Sequence, residues 1–263
     1  MATHLGSHAE RLTRLRALHT VKGRREQRRY AFEGATLLSE AYAAGTIVEE
    51  IYATETAYEK TPLLSELDRA GVPCFLIADR AARSISDVET PTGIVGVTPA
   101  RTVAPTELLK LPGPMPLLAD LNDPANAGGL LRSADAFGCR GALFGGLGVD
   151  PYHPKVVRAS MGAIFRLAVA VAEPDAAAGA LLSAGRRLIG LSPAGEEIGD
   201  GEWDPGSVLA VGHERHGLGR WQAHCERLVA IPMKGRTESL SAAVAGSIGL
   251  YLASRRMLPE KPS

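Results

Sequence analysis

A chain of 263 residues, 45% hydrophobic and 22% charged with 29 basic and 29 acidic side chains, can bury one large core or two modest ones. This composition excludes an intrinsically disordered chain and a disulfide-stapled mini-protein. It contains no apolar run long enough to span a bilayer, and Arg11, Arg14, Arg16 and Lys22 break the start, so neither a membrane span nor a secretory signal is expected and the cytoplasm is the default. Cys74, Cys139 and Cys225 lie far apart without a C-x-x-C pair, the pattern of reduced, mostly buried thiols rather than of a disulfide framework or a zinc site. The charges cancel in sum but not in distribution, because Arg11, Arg14, Arg16, Lys22, Arg24, Arg25, Arg28 and Arg29 crowd the first thirty positions. Such a cluster neutralises phosphates without specifying a base sequence; otherwise it is a solvated helix face.

In chain order, Leu12, Leu15 and Leu18 set a helical period over His8 to Leu18, with arginines on the other side. Gly23 and the arginine cluster are expected to interrupt it. Tyr30 to Phe32 reads as a strand, Ala35 to Ala44 as a helix and Ile47 to Tyr52 as a strand. Leu63 to Ala70 then reads as a helix closed by Gly71, Pro73 to Ile77 as a strand, and Val88 to Val97 as a turn and strand around Pro91-Thr92-Gly93. Residues 99–116 contain Pro99, Pro105, Pro112, Pro114 and Pro116 without sustained periodicity, so they are expected to link a domain at 1–98 to one at 117–263.

Beyond the linker, strands and helices alternate. Strands are expected at Leu117 to Leu121, Gly141 to Phe144, Leu167 to Val171, Arg187 to Leu191, Val208 to Val211 and Leu228 to Ile231. Helices fall between them and at the end, so a parallel sheet covered on both faces follows. In such sheets ligands gather at the carboxyl ends of the strands.

Three loops occupy that position. Leu117 to Gly138 reads as strand, loop, helix, with Asn126 and Arg132 near a helix start where amides and a guanidinium face one anion; the bland reading is an ordinary βα unit with Asn126 capping the helix. Ser207 to Gly219 is a strand running into a loop with glycines at 212, 217 and 219. Arg227 to Tyr251 is a strand stopped by Pro232, a basic loop, and a helix of small residues.

Together, the N-x-x-x-x-x-R of the first stretch, the G-x-E-x-x-G of the second and the I-P-M…E-S-L of the third resemble the three motifs of the TrmH-like (SpoU) branch of the SPOUT RNA 2'-O-ribose methyltransferases. F-E-G at 32–34 and P-T-G-I-V-G-V at 91–97 resemble the L30e-like RNA-binding domain that precedes the catalytic domain in ribosomal members. The resemblance implies an α/β fold in which a parallel-sheet SPOUT domain with a deep trefoil knot follows a smaller L30e-like domain. It also implies a homodimer with the active site at its interface, S-adenosylmethionine as methyl donor, and RNA as substrate. The two-domain form favours rRNA over tRNA. No metal is needed, and the His213-Glu214-His216 spacing does not match H-E-x-x-H.

Residue by residue, the resemblance carries the phosphate-holding and alkoxide-stabilising role to Arg132, and the fixing of that arginine or the ribose to Asn126. Glu214 would orient Arg132 and shape the donor loop. Ser239 and Ser241 complete the catalytic set. Gly212, Gly217, Ile231, Met233, Ser239 and Leu240 form the donor pocket, the glycines permitting close approach of the ligand, so that valine at 212 would obstruct the donor without unfolding the chain. Arg24, Arg25, Arg28, Arg29 and Arg158 are the RNA-facing cations. Two asparagines of the family pattern are missing: His213 stands for that of G-N-E, and Ser239-Leu240-Ser241-Ala242-Ala243 stands where the family has S-L-N-V-S, with Ser241 in place of the asparagine. These departures keep a second reading open, an RNA-binding module of the same fold with weak or lost turnover. A nicotinamide-dependent enzyme, suggested by Gly146 and Gly148, lacks a G-x-G-x-x-G directly after the first strand.

Overall fold

The computed structural model describes residues 2–6, 9–199, 206–237 and 239–255. The chain divides into two compact units, one running to Arg101 and including Tyr152–Phe165, the other holding Thr102–Pro151 and the rest.

In the first unit, β1 (Thr3–His4), α1 (Glu10–Ala17), α2 (Val21–Gln27), β2 (Arg29–Glu33), α3 (Ala35–Ala43) and β3 (Glu50–Ala53) are followed by α4 (Glu55–Lys60), α5 (Pro62–Arg69), β4 (Cys74–Leu76), α6 (Asp79–Ile85) and β5 (Ile94–Pro99). The strands form one mixed sheet in the order β1-β4-β3-β5-β2. The leucine period behaves as its spacing requires: Leu12, Leu15 and Leu18 are buried against Tyr52, Ile77, Ile85, Val95 and Val97. His8, the expected start of that helix, lies outside the described residues. The interruption expected at Gly23 is instead a second helix. Thr20 caps it by accepting from Gly23 N at 3.0 Å, and a Cβ at Gly23 would stand 2.0 Å from the Ala17 carbonyl oxygen, so only glycine lets α2 pack this closely on the end of α1. Phe32-Glu33-Gly34 and Pro91-Thr92-Gly93 are bonded to each other, because the Glu33 carboxylate accepts from Thr92 N and Ser86 Oγ, both at 2.9 Å.

The second unit continues with α7 (Pro105–Leu108), β6 (Met115–Ala119), α8 (Pro124–Ala136) and β7 (Gly141–Gly145). After α9 (Pro154–Ala159), which belongs to the first unit, come β8 (Ala168–Ala172), α10 (Pro174–Ser183), β9 (Leu188–Glu197), β10 (Val208–Gly212), β11 (Arg227–Ala230) and α11 (Ala242–Arg255). Its six-stranded sheet has the order β11-β9-β10-β6-β7-β8, and every pairing is parallel. The interiors of β6, β7 and β10 are continuous apolar runs, as a sheet covered on both faces demands. Residues 99–116 are structured in large part: β5 extends to Pro99, α7 occupies 105–108, and Leu108 and Leu109 are buried with Met115, Leu143 and Trp221. Prolines at N1 start helices without losing a hydrogen bond, which is why a proline-rich stretch holds one here.

The small residues of α11 face inward. A Cβ at Gly246 would come within 2.7 Å of Leu130 Cδ1 and one at Gly249 within 2.6 Å of Leu209 Cδ2, so these glycines seat the helix on α8 and β10. Val244 and Tyr251 remain on its exposed side. Among the described residues no helix is long and apolar enough to cross a membrane.

Candidate active site

The site begins with an irregularity in β9. Leu228 of β11 pairs with Gly190, but the next residue, Val229, pairs with Glu196, so the intervening stretch of β9 leaves the ladder. Ser192 and Pro193 fall in that bulge and line one wall of a solvent-open cleft of ≈ 390 Å³. The remaining walls come from the ends of β10 and β11 and the start of α11. They include all six residues expected to hold a donor, Gly212, Gly217, Ile231, Met233, Ser239 and Leu240. Val211, Val229, Ala242 and Ala245 add apolar surface, and Glu214 and Arg215 add charge at the rim. Ser192 and Pro193 were not foreseen, since a parallel strand read from its apolar run stops at Leu191; the serine-proline pair was the available signal.

Gly212 and Gly217 are required for reasons internal to the loop. A Cβ on Gly212 would lie 2.2 Å from the Gly217 carbonyl oxygen and 2.6 Å from Leu218 N, whereas Gly217 has open space but a φ of +59°. The glycine at 212 therefore admits the loop's own backbone rather than a ligand, and valine there is expected to displace the loop, correcting the expectation of simple obstruction. The turn is closed by reciprocal His213 and Gly217 backbone bonds of 2.8 Å.

Asp123, not Asn126, caps α8 by accepting from Asn126 N at 2.7 Å, leaving the Asn126 side chain free for other work. Its Nδ2 donates to Glu214 Oε1 at 2.6 Å and its Oδ1 accepts from Ala243 N at 3.4 Å. One carboxamide thus ties the start of α8 and the loop after β10 to the start of α11. Glu214 is bonded to Asn126 and not to Arg132. Arg132 is exposed on α8, lies outside the cleft, and makes no hydrogen bond or ion pair with any described residue.

Both departures from the family pattern have local structural jobs. His213 Nδ1 accepts from Arg215 N at 3.0 Å, the bond an asparagine side chain makes in an Asx-turn. Ser241 Oγ accepts from Val244 N at 3.3 Å, with the Ser241 carbonyl accepting from Ala245 N at 2.9 Å, so Ser241 caps α11.

The arginine set divides. Arg25 and Arg28 are exposed. Arg24 is 3% exposed, with Nη1 on the Leu18 carbonyl at 2.8 Å; helix α2 turns it inward, which withdraws it from any RNA-facing set. Arg29 pairs with Glu49 at 2.6 Å and Arg158 with Asp87 at 2.5 Å, so both are already neutralised within the first unit.

A parallel sheet with a cleft of this size under three convergent loops defines a small-molecule-binding enzyme domain of the open α/β class. The chain belongs to the SpoU rRNA Methylase family, which it matches over residues 116–251. Residues 9–96 match the MRM3-like substrate binding domain. The 23S rRNA (guanosine(2553)-2'-O)-methyltransferase of Bacillus subtilis is 29% identical over 241 residues, 89% of this chain and 92% of that protein. The AdoMet-bound rRNA methyltransferase from Sinorhizobium meliloti superposes with a TM-score of 0.85 at 26% identity, covering 98% of this chain and 99% of that one. The AviRb methyltransferase from Streptomyces viridochromogenes, in complex with AdoMet, gives 0.83 at 26% identity over 95% and 98%.

Proposed function

We propose that this chain transfers the methyl group of S-adenosylmethionine to a ribose 2'-hydroxyl of ribosomal RNA. The observation that carries this reading is the single cleft into which residues from β9, β10, β11 and α11 converge, with the Asn126–Glu214 bond linking its rim to α8. The cleft suits the donor: Ile231, Leu240, Val211 and Val229 offer an apolar enclosure for a purine, and Ser239, Glu214 and the loop backbone offer polar partners for a ribose and an amino acid. The donor supplies an already activated methyl carbon.

The protein's task is then alignment, and raising the nucleophilicity of a hydroxyl. Asn126 and Glu214 fix the rim of the cleft. Arg132, as a forked guanidinium with no partner among the described residues, holds an RNA phosphate and stabilises developing alkoxide. Its position outside the cleft favours a homodimer in which a second copy completes the site. The contact then falls on the outward side of α11, at Val244 and Tyr251, rather than on its small-residue face. The expected trefoil knot would come from the C-terminal segment threading through a loop of the same domain. Arg25 and Arg28 of the first unit are the cations left to meet RNA backbone. Labelled donor and total rRNA give the test: incorporation that maps to a ribose 2'-oxygen supports the reading, and incorporation on a base, or into tRNA alone, removes it.

A further inference from the structure

The ends of β6, β7 and β8 carry a charged cluster outside the donor cleft. Asp120, the residue after β6, has a φ of 53°, a left-handed conformation that aspartate tolerates better than most side chains. Its carboxylate accepts from Arg220 Nε at 2.8 Å and Nη2 at 3.2 Å, from Trp221 Nε1 at 3.0 Å and from Leu147 N at 3.1 Å. Arg220 also pairs with Glu173. The strand ends close tightly on these groups, since a Cβ would stand 2.3 Å from Asp120 Oδ1 at Gly145 and 2.0 Å from Glu173 Oε1 at Gly146. Burial acts to raise the Asp120 carboxyl, but its bonds to Arg220, Leu147 and Trp221 outweigh it and hold the group below the usual carboxylate range.

The cluster's place in the chain suggests its role. Asp120 begins the loop that leads through Asp123 into the first turn of α8, which carries Asn126, and Arg220 lies in the turn of helix (Gly219–His224) directly after the loop that carries Glu214. The ion pair joins the base of the loop that leads into α8 to the end of the loop after β10, and the two segments meet again in the Asn126–Glu214 bond of 2.6 Å. We propose that Asp120 and Arg220 are positioning residues, fixing the loops after β6 and β10 against each other so that Asn126 and Glu214 meet at the rim of the donor cleft. The catalytic consequence rests on the methyltransferase reading; the effect on the loop does not.

The experiment is a double-mutant cycle on the full chain, read by turnover and by amide exchange. Arg220→Gln, and independently Asp120→Asn, should lower kcat on the order of tenfold, within the range for a small misplacement of a catalytic group. Asparagine accepts the left-handed φ at 120 and keeps an acceptor oxygen, so it preserves the fold if the glutamine variant does not. In a Glu214→Ala background, either substitution should cost less than about twofold, because the contact it positions is already gone. Without RNA or donor, the His213 and Gly217 amides should exchange at least about tenfold faster in both variants while β6 and β7 amides keep their protection. Independent, multiplicative losses across the cycle, or unchanged exchange at His213 and Gly217, overturn the proposal. If the wild type methylates no RNA, exchange alone decides: acceleration keeps the positioning role while the methyltransferase reading falls, and unchanged exchange removes the role itself.

Discussion

Gly212→Ala puts the smallest possible side chain where β10 ends, and the geometry says what it must displace. The new Cβ would sit 2.2 Å from the Gly217 oxygen, 2.3 Å from its carbonyl carbon and 2.6 Å from Leu218 N, all backbone atoms that no rotamer change can move. Separating the two strands of the turn breaks both His213–Gly217 bonds. At about 1 kcal/mol net for each hydrogen bond, the loop loses about 2 kcal/mol of its preference for the binding geometry. Because the loop lines the donor cleft, that loss falls on affinity, and S-adenosylmethionine should bind roughly 30-fold more weakly. Gly217→Ala makes the contrast. Its Cβ meets open space, so the penalty is conformational only, about 1–2 kcal/mol for a φ of +59°. Titration calorimetry with the donor, beside thermal denaturation of each variant, separates loop from global effects. A Gly212→Ala protein with wild-type donor affinity and an unshifted Tm would refute the argument, since the clash would then have been relieved at no cost.

Three shorter expectations follow from the same geometry. Arg132→Ala should leave Tm and donor affinity within error, because the side chain bonds to no described residue, yet abolish most turnover; near-normal kcat counts against its role. Ser241→Ala should destabilise the unit by about 1 kcal/mol through loss of the α11 cap, while Ser241→Asn, an equally good cap, should be near neutral in Tm; equal losses would show that the cap is not what matters. Burial pushes Cys139 up to about 12 and Cys74 and Cys225 up to about 11, so at pH 8 roughly one thiol in a thousand or fewer is ionised. Iodoacetamide should then label the unfolded chain far faster than the native one. Since these folded values lie above the unfolded value of about 8.5, their contribution to stability is full below that pH and is lost as pH rises towards 11.

How much of this was legible depends on the range of the force involved. The leucines of α1 and the apolar runs of β6, β7 and β10 announce themselves because burial acts on a local, periodic pattern. The motif loops were legible as candidates, and the cleft gathers Gly212, Gly217, Ile231, Met233, Ser239, Leu240 and Glu214. Facing direction was not legible. Arg24 and Arg25 are neighbours of identical chemistry, yet one is buried on the Leu18 carbonyl and the other is exposed, a difference set by where α2 packs. The bulge that brings Ser192 and Pro193 into the site depends on the register of β11 against β9, which links residues 33 to 38 positions apart and leaves no local trace. Asp120 was likewise invisible as a charged anchor, because its partner Arg220 lies a hundred positions on.

The departures at His213 and Ser241 also look different once bonds replace letters. An asparagine at either position would bring a carboxamide to the site, and its loss reads in the sequence as a lost substrate contact. In the structure both replacements retain the acceptor function of that group towards the backbone: an imidazole nitrogen on Arg215 N and a hydroxyl on Val244 N. What they give up is the amide donor, since a neutral imidazole accepting through Nδ1 donates only through Nε2, and a serine hydroxyl is shorter. The cross-loop donor bond is supplied instead by Asn126, which reaches Glu214 and takes Ala243 N together. Loss of turnover therefore does not follow from these two substitutions. The residue whose amide links the rim of the cleft is Asn126, so Asn126→Asp, which replaces that donor by a second carboxylate facing Glu214, is the change that should open it. Measured turnover should fall at neutral pH and recover in part as acid protonates the pair; a flat pH profile with wild-type rate would show that the Asn126–Glu214 bond does not hold the site together.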